Sequence, residues 1–288
     1  MHDRDIATRT ADFREINRVE REFFLDCHAA APPDIAKDFG ISFREAGSVA
    51  FQAASGFPIY PLNRVFGLGA EEAATEDQLD DAIDWLRRNC CPAFSIQVPP
   101  DAQPPALRDW LAARGFQPGG GGWAKLRRGT TPVVPPPIRS KFEIREIAAG
   151  DRDAPALGAI FGAAFGMPSP AQVWISTMVG RPKMRTYLAY DGDTPIGSGA
   201  LMVSDGWAWV GLGATAPTHR NQGIQSAMLA RRIADGIASG VEGFAIEAIN
   251  PPPGEEHNFP SYRNILRAGF EVAYVAQDYF EVMPGPPE

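Results

Sequence analysis

A chain of 288 residues, 44% hydrophobic and 22% charged, holds enough apolar material for two globular domains. Its formal net charge of −8 argues against general affinity for nucleic acid or anionic membrane, so any polyanion must be met by a local site. The sequence has neither the run of about 18 apolar residues that a spanning helix needs nor a basic-then-apolar leader, which predicts a cytoplasmic protein.

Cys27, Cys90 and Cys91 make no even-numbered disulfide framework, and a bond between the neighbours Cys90 and Cys91 would be strained. His2, His28, His219 and His257 have no metal-type spacing to cysteines or carboxylates, so no metal is expected.

In chain order, Leu79, Ala82, Ile83 and Leu86 fall at helical spacing, FSIQV (94–98) reads as a short strand, and ALRDWLAARGF (106–116) reads as a second helix. The prolines of GTTPVVPPPIRS then remove backbone donors and favour an extended conformation. They predict a linker over 131–140 between domains at 1–130 and 141–288. In the second domain KFEIREI, RTYLAYDGD, TPIGSGALMV and WAWVGLGAT read as strands, with ALGAIFGAAFG and SPAQVWISTMVG as helices after the first. Asp191-Gly192-Asp193 and Ser204-Asp205-Gly206 read as hairpin turns. A helix from Gln225 to Gly240, the strand FAIEAI and the helix SYRNILRAGF follow. The order predicts an α/β fold with mixed sheets.

The two halves match at four places in the same order. FGLGA at 66–70 matches VGLGA at 210–214, FSIQ matches FAIE, RDWLAARGF matches RNILRAGF, and GGGWAKLRR matches EVAYVAQDYF. Gly67 corresponds to Gly211, Gln97 to Glu247 and Gly115 to Gly269, offsets of 144, 150 and 154 that drift as loop insertions would make them. This reads as an internal duplication.

The copies differ at one junction. A helix starting near Gly223 leaves its first amides without intrahelical partners and presents the positive end of its dipole. Gly223 admits close approach of a ligand, Arg220 can pair with phosphate oxygens, and the amides from Asn221 to Gln225 can form a nest around them. At the equivalent place the first copy has Thr75 and Gln78 at capping-box spacing, with Glu71, Glu72, Glu76 and Asp77 close by. Those carboxylates repel a phosphate, whereas no acidic residue lies between Gly211 and Ala230. A P-loop is not indicated, because the loop contains no lysine.

A strand ending in an apolar run, then Pro217, then Arg220-Asn221-Gln222-Gly223-Ile224-Gln225 opening a helix, resembles the acyl-coenzyme A signature R/Q-x-x-G-x-G/A of the GCN5-related N-acetyltransferases. Gln225 stands where that pattern has glycine or alanine. The resemblance extends over residues 141–288 in element order, and the first half looks like a degenerate copy, as in the family's tandem members. It implies two acetyltransferase-like domains, each a mostly antiparallel mixed sheet flanked by helices, and acetyl-coenzyme A as cofactor of the second. Ala214 and Thr215 would pair through their backbone with the pantetheine arm, and Arg220, Asn221, Gln222, Gly223, Ile224, Gln225 and Ser226 would wrap the pyrophosphate. Asn258 and Asn264 are candidates along the arm, with helix capping and a solvated surface as their structural alternatives.

The implied reaction is direct transfer of acetyl to an amine, without a covalent enzyme intermediate. It needs a base for the ammonium proton and donors for the oxyanion, with an acid available to protonate the leaving thiolate. Glu247 in FAIEAI is the candidate base; the first copy has neutral Gln97 there. The family's tyrosine position holds Ile265, so the acid is Tyr262 or Tyr274. His219 is assigned a cofactor-side or surface role, and Trp174, Trp207 and Trp209 are assigned to the core before an acceptor wall. The acceptor is a small metabolite or a peptide amine, and the protein a monomer or homodimer. The alternative is an acyl-coenzyme A sensor or assembly module without turnover.

Overall fold

A computed structural model of the chain describes residues 2–90, 93–134 and 142–282, with side chains from residue 12 onward. It divides into two compact units, Met1–Ala29 with Pro33–Lys125 and Ala273–Glu288, and Ala30–Pro32 with Leu126–Val272.

The first unit begins with α1 (His2–Ala29) and α2 (Pro33–Asp38). It continues through β1 (Ile41–Ala46), β2 (Val49–Ala54), β3 (Arg64–Phe66), α3 (Glu76–Asn89), β4 (Ser95–Val98), α4 (Leu107–Ala113) and, as far as Lys125, β5 (Phe116–Arg128). β1, β2 and β3 pair antiparallel, and β3 pairs parallel with β4. The expected helix over Leu79, Ala82, Ile83 and Leu86 is α3. All four side chains are buried, in a core shared with Val65, Ile96, Leu111 and Phe116. Ile16, Val19 and Phe23 of α1, at i, i+3 and i+7, are also buried.

His28, near the end of α1, is buried with Nδ1 2.9 Å from the Phe24 carbonyl oxygen. Burial pushes its pKa down to about 4, so the folded state holds it neutral while the unfolded chain protonates it in the ordinary imidazole range. Its contribution is therefore complete above pH about 6.5 and is lost as pH falls to about 4, a total of about 3 kcal/mol. Urea unfolding of wild type and His28→Gln at pH 7 and pH 4.5 checks this: the wild type is expected to lose more stability between the two. Equal losses would refute it.

The second unit contains β6 (Glu143–Ile147), α5 (Ala154–Phe165), α6 (Ser169–Ser176), β7 (Met184–Asp191), β8 (Thr194–Ser204), β9 (Trp207–Thr215), α7 (Ile224–Ala238), β10 (Gly243–Ile249) and α8 (Pro260–Arg267). β6 to β9 form an antiparallel meander, and β10 joins β9 in parallel. Both expected hairpin turns form. Asp191 faces Thr194 and Ser204 faces Trp207, and the second turn places Asp205 and Gly206 at positive φ. Trp174, Trp207 and Trp209 are all buried.

The last strand corrects the expected partition. β11 (Glu271–Glu281), read as closing the domain at 141–288, pairs antiparallel with β4 through Gln277↔Val98, Asp278↔Gln97 and Tyr279↔Ile96. Tyr279 lies in the first unit's core, and the Tyr274 hydroxyl donates to Asn17 Oδ1 at 3.1 Å. A strand's alternation names its buried face but not the edge it joins. Of the expected linker, residues 131–134 carry no regular structure, while 135–140 lie outside the described residues, as does Cys91. Cys27 is buried and Cys90 half-buried. Among the described residues no helix is long and apolar enough to cross a membrane.

Candidate functional site

The second unit opens where β9 and β10 part. Their pairing runs from Trp207↔Gly243 to Trp209↔Ala245, after which β9 continues to Thr215 and β10 to Ile249. β9 also carries a bulge: Ala200 faces Gly211 and Ser198 faces Ala214, so Leu212 and Gly213 stand against Gly199 alone. Leu212 has φ +50.

Beneath the bulge lies Arg232 of α7, 2% exposed. Its Nη1 donates to the Gly211 and Ala200 carbonyl oxygens at 2.9 and 3.2 Å, and its Nε to that of Met228 at 3.1 Å. Burial lowers its pKa to about 10, so it remains a cation at neutral pH. The guanidinium thus satisfies carbonyls that the interrupted ladder leaves over. It braces the strand end that holds Ala214 and Thr215, both half-buried and both hydrogen-bonded in register with β8 on the side away from β10.

A single 3-10 turn, Pro217–His219, leads from β9 to the junction. His219 Nδ1 is 2.9 Å from Thr218 Oγ1, and its Nε2 is 3.5 Å from Asp191 Oδ2. Arg220 is exposed and extended, Asn221 has φ +62, and Gly223 has φ +89 as the residue preceding α7. Left-handed residues spaced in this way turn successive amides toward one side, the geometry of an anion nest. The Ala227 amide closes the first turn on the Gly223 carbonyl oxygen at 3.0 Å, so the amides of Ile224, Gln225 and Ser226 have no intrahelical acceptor. No side chain caps α7, and its first turn has no acidic residue. A Cβ built on Gly223 would meet nothing within 4 Å. The loop therefore offers uncapped amides, a dipole end and open approach, which fits a bridging pyrophosphate. Ile224 is buried and anchors the helix; Gln222, Gln225 and Ser226 are half-buried.

Gln225 reaches α8. Its Nε2 donates to Ser261 Oγ at 2.8 Å, and its Oε1 accepts from Asn264 Nδ2 at 2.7 Å. Asn264 Oδ1 in turn accepts from Arg267 at 3.4 Å. Asn258 is exposed at the end of the 3-10 turn Glu256–Asn258, and Phe259 rather than Asn258 occupies the cap position of α8.

Glu247 is half-buried on β10, two residues past the last position paired with β9 and therefore on the stretch where the two strands have parted. Tyr262, in the first turn of α8, is buried; burial first and the Glu256 charge second raise its pKa, keeping it a phenol able to donate. Ile265 is 2% exposed and belongs to the core. The other acid candidate, Tyr274, falls in the first unit with its hydroxyl committed to Asn17.

The first unit's equivalent junction is closed by its own chain. Thr75 Oγ1 accepts from the Gln78 amide at 3.2 Å and the Thr75 amide donates to Gln78 Oε1 at 2.9 Å, completing the expected capping box. The segment before α4 is tied to this junction: the Gln103 amide donates to the Gly69 carbonyl oxygen at 2.8 Å, and the Ala74 amide donates to the Gln103 carbonyl oxygen at 2.7 Å. A Cβ on Gly69 would lie 2.6 Å from the Gln103 oxygen, so φ +74 and the close approach both require glycine. At the ends of β3 and β4, Phe66, Gly67, Gln97 and Pro99 border a cavity of about 10 Å³, room for one water. Beside it buried Glu20 pairs with Arg64 at 3.2 Å and with Lys125.

No protein-family profile and no curated protein sequence matches the chain. Solved structures match its fold. A GCN5-related N-acetyltransferase from Kribbella flavida is 18% identical with a TM-score of 0.57, over 90% of this chain and 96% of that one. One from Sphaerobacter thermophilus is 18% identical with a TM-score of 0.58, over 77% and 74%. A tandem GNAT protein from the clavulanic acid biosynthesis pathway is 13% identical with a TM-score of 0.56, over 89% and 86%. The chain has the fold of these acetyltransferases, carried in two halves.

Proposed function

We propose that a chain carrying this fold twice uses its second unit, in which β6 to β10, α7 and α8 lie, to bind acetyl-coenzyme A and to transfer acetyl directly to the amine of a small metabolite or peptide. The first unit is a degenerate copy. The observation that carries the reading is the contrast between the two junctions: one helix end is uncapped, open and free of carboxylates, and the other is capped by Thr75 and closed onto Gln103.

In this reading the amides of Asn221 to Ser226 and the Arg220 guanidinium hold the pyrophosphate. The backbone of Ala214 and Thr215 pairs with the pantetheine arm between β9 and β10, with Asn258 and Asn264 on its flank. Acetyl-coenzyme A supplies the activated acyl carbon. Glu247 takes the ammonium proton so that the free amine can attack, and Tyr262 donates to the departing thiolate. The burial of Ile265 at the family's tyrosine position favours a second reading, an acyl-coenzyme A sensor without turnover.

Calorimetric titration with acetyl-coenzyme A, followed by thiol release against a panel of amines, tests both. Wild type is expected to bind and release thiol, and Arg220→Ala to bind about tenfold more weakly, the cost of one charge-assisted phosphate contact. Absence of binding sinks both readings, and binding without release selects the sensor.

A further inference from the structure

Resting on that reading, we infer that Gln225 is a positioning residue that joins the pyrophosphate loop to α8, so that occupancy of the loop fixes the helix carrying Tyr262. Gln225 is the second residue of α7, and its own amide belongs to the anion nest. Its carboxamide fills both roles available to it, donating to Ser261 and accepting from Asn264. Ser261 and Asn264 stand three apart on α8 and share a face, while Tyr262 and Ile265, also three apart, form a buried one.

The side chain thus grips α8 on the face beside the one that buries the phenol. The glycine or alanine of the family signature has no atoms to make either bond. α8 is eight residues long, too short to hold its place by intrinsic propensity, so its position depends on such tertiary links.

Two variants separate the link from the charge of the loop. Gln225→Ala removes both bonds but leaves the backbone amides, so its affinity for acetyl-coenzyme A should stay within about threefold of wild type while kcat falls about tenfold through misplacement of Tyr262. Gln225→Glu keeps a side chain that accepts from both Asn264 Nδ2 and the Ser261 hydroxyl, but places a carboxylate beside the phosphates. It should bind about tenfold more weakly and recover most of kcat once saturated.

Amide hydrogen exchange of residues 262–268, with and without saturating acetyl-coenzyme A, reads the coupling directly. Wild type and Gln225→Glu should gain protection in α8 on binding, and Gln225→Ala should not. Equal gain in Gln225→Ala, or an unchanged kcat, overturns the inference while leaving the binding site intact. Failure of wild type to bind overturns the proposed function on which it rests. Asn264→Ala adds a check: it leaves the Ser261 bond and should cost less than Gln225→Ala, and combined with Gln225→Ala it should cost no more than Gln225→Ala alone.

Discussion

Replacing Glu247 with glutamine is expected to lower kcat about 10²- to 10⁴-fold, the range that general-base catalysis supplies, while leaving affinity for acetyl-coenzyme A within about threefold. The substitution is nearly isosteric, and the molecule contains its own control. At the equivalent place the first unit carries Gln97, fully accommodated on β4, where its Nε2 donates to Asp278 Oδ1 at 3.3 Å. A neutral amide is therefore compatible with this strand position, and a loss of rate is not a loss of fold. Glu247 lies on β10 beyond the part paired with β9, on a different element from the loop at Arg220–Ser226, so ground-state binding should survive its neutralisation. The pH profile gives the second reading: wild-type kcat/KM should rise with pH through a limb that Glu247→Gln lacks. Full turnover of the variant across pH would remove Glu247 as the base and transfer that role to a water chain.

The elements that position this site were legible where the signal is local. Apolar runs bounded by turn signals gave the strands β7 to β9, Asp-Gly and Gly-Asp gave their turns, and Thr75 with Gln78 gave the capping box down to both of its hydrogen bonds. The uncapped start of α7 after Gly223 was legible for the same reason, since glycine and asparagine before a helix report backbone conformation directly. What was missed depends on distant partners. α1, whose buried stripe of Ile16, Val19 and Phe23 is interrupted by charged neighbours including buried Glu20, drew no helical assignment. β11 was read as a strand, but its place beside β4 is a tertiary choice. Gln225 was seen only as a departure from a pattern. Its meaning lies 36 and 39 residues along the chain, in Ser261 and Asn264.

Arg232 is the other residue whose role only the fold discloses, and its removal should have the largest effect on stability. As one of two adjacent arginines in an amphipathic helix it reads as a solvated charge, yet it is buried under the β9 bulge with three carbonyl oxygens as acceptors. Two effects oppose each other in Arg232→Met, which keeps the aliphatic length. Depression of the pKa from the arginine range to about 10 shows that burial penalises the cation, and relief of that penalty returns about 3 kcal/mol. Against this stand three charge-assisted hydrogen bonds at about 1.5–3 kcal/mol each, two of them to the strand carbonyls of Ala200 and Gly211 beside the bulge and one to Met228 within α7. The bonds win, and urea unfolding should show a net loss of about 3 kcal/mol. Arg232→Lys keeps the charge but not the fork, so it should fall between the two. Because Gly211 anchors the bulge from which Ala214 and Thr215 project, Arg232→Met should also weaken acetyl-coenzyme A binding in calorimetry. Unchanged stability together with unchanged affinity would mean that the bulge holds its shape without the guanidinium.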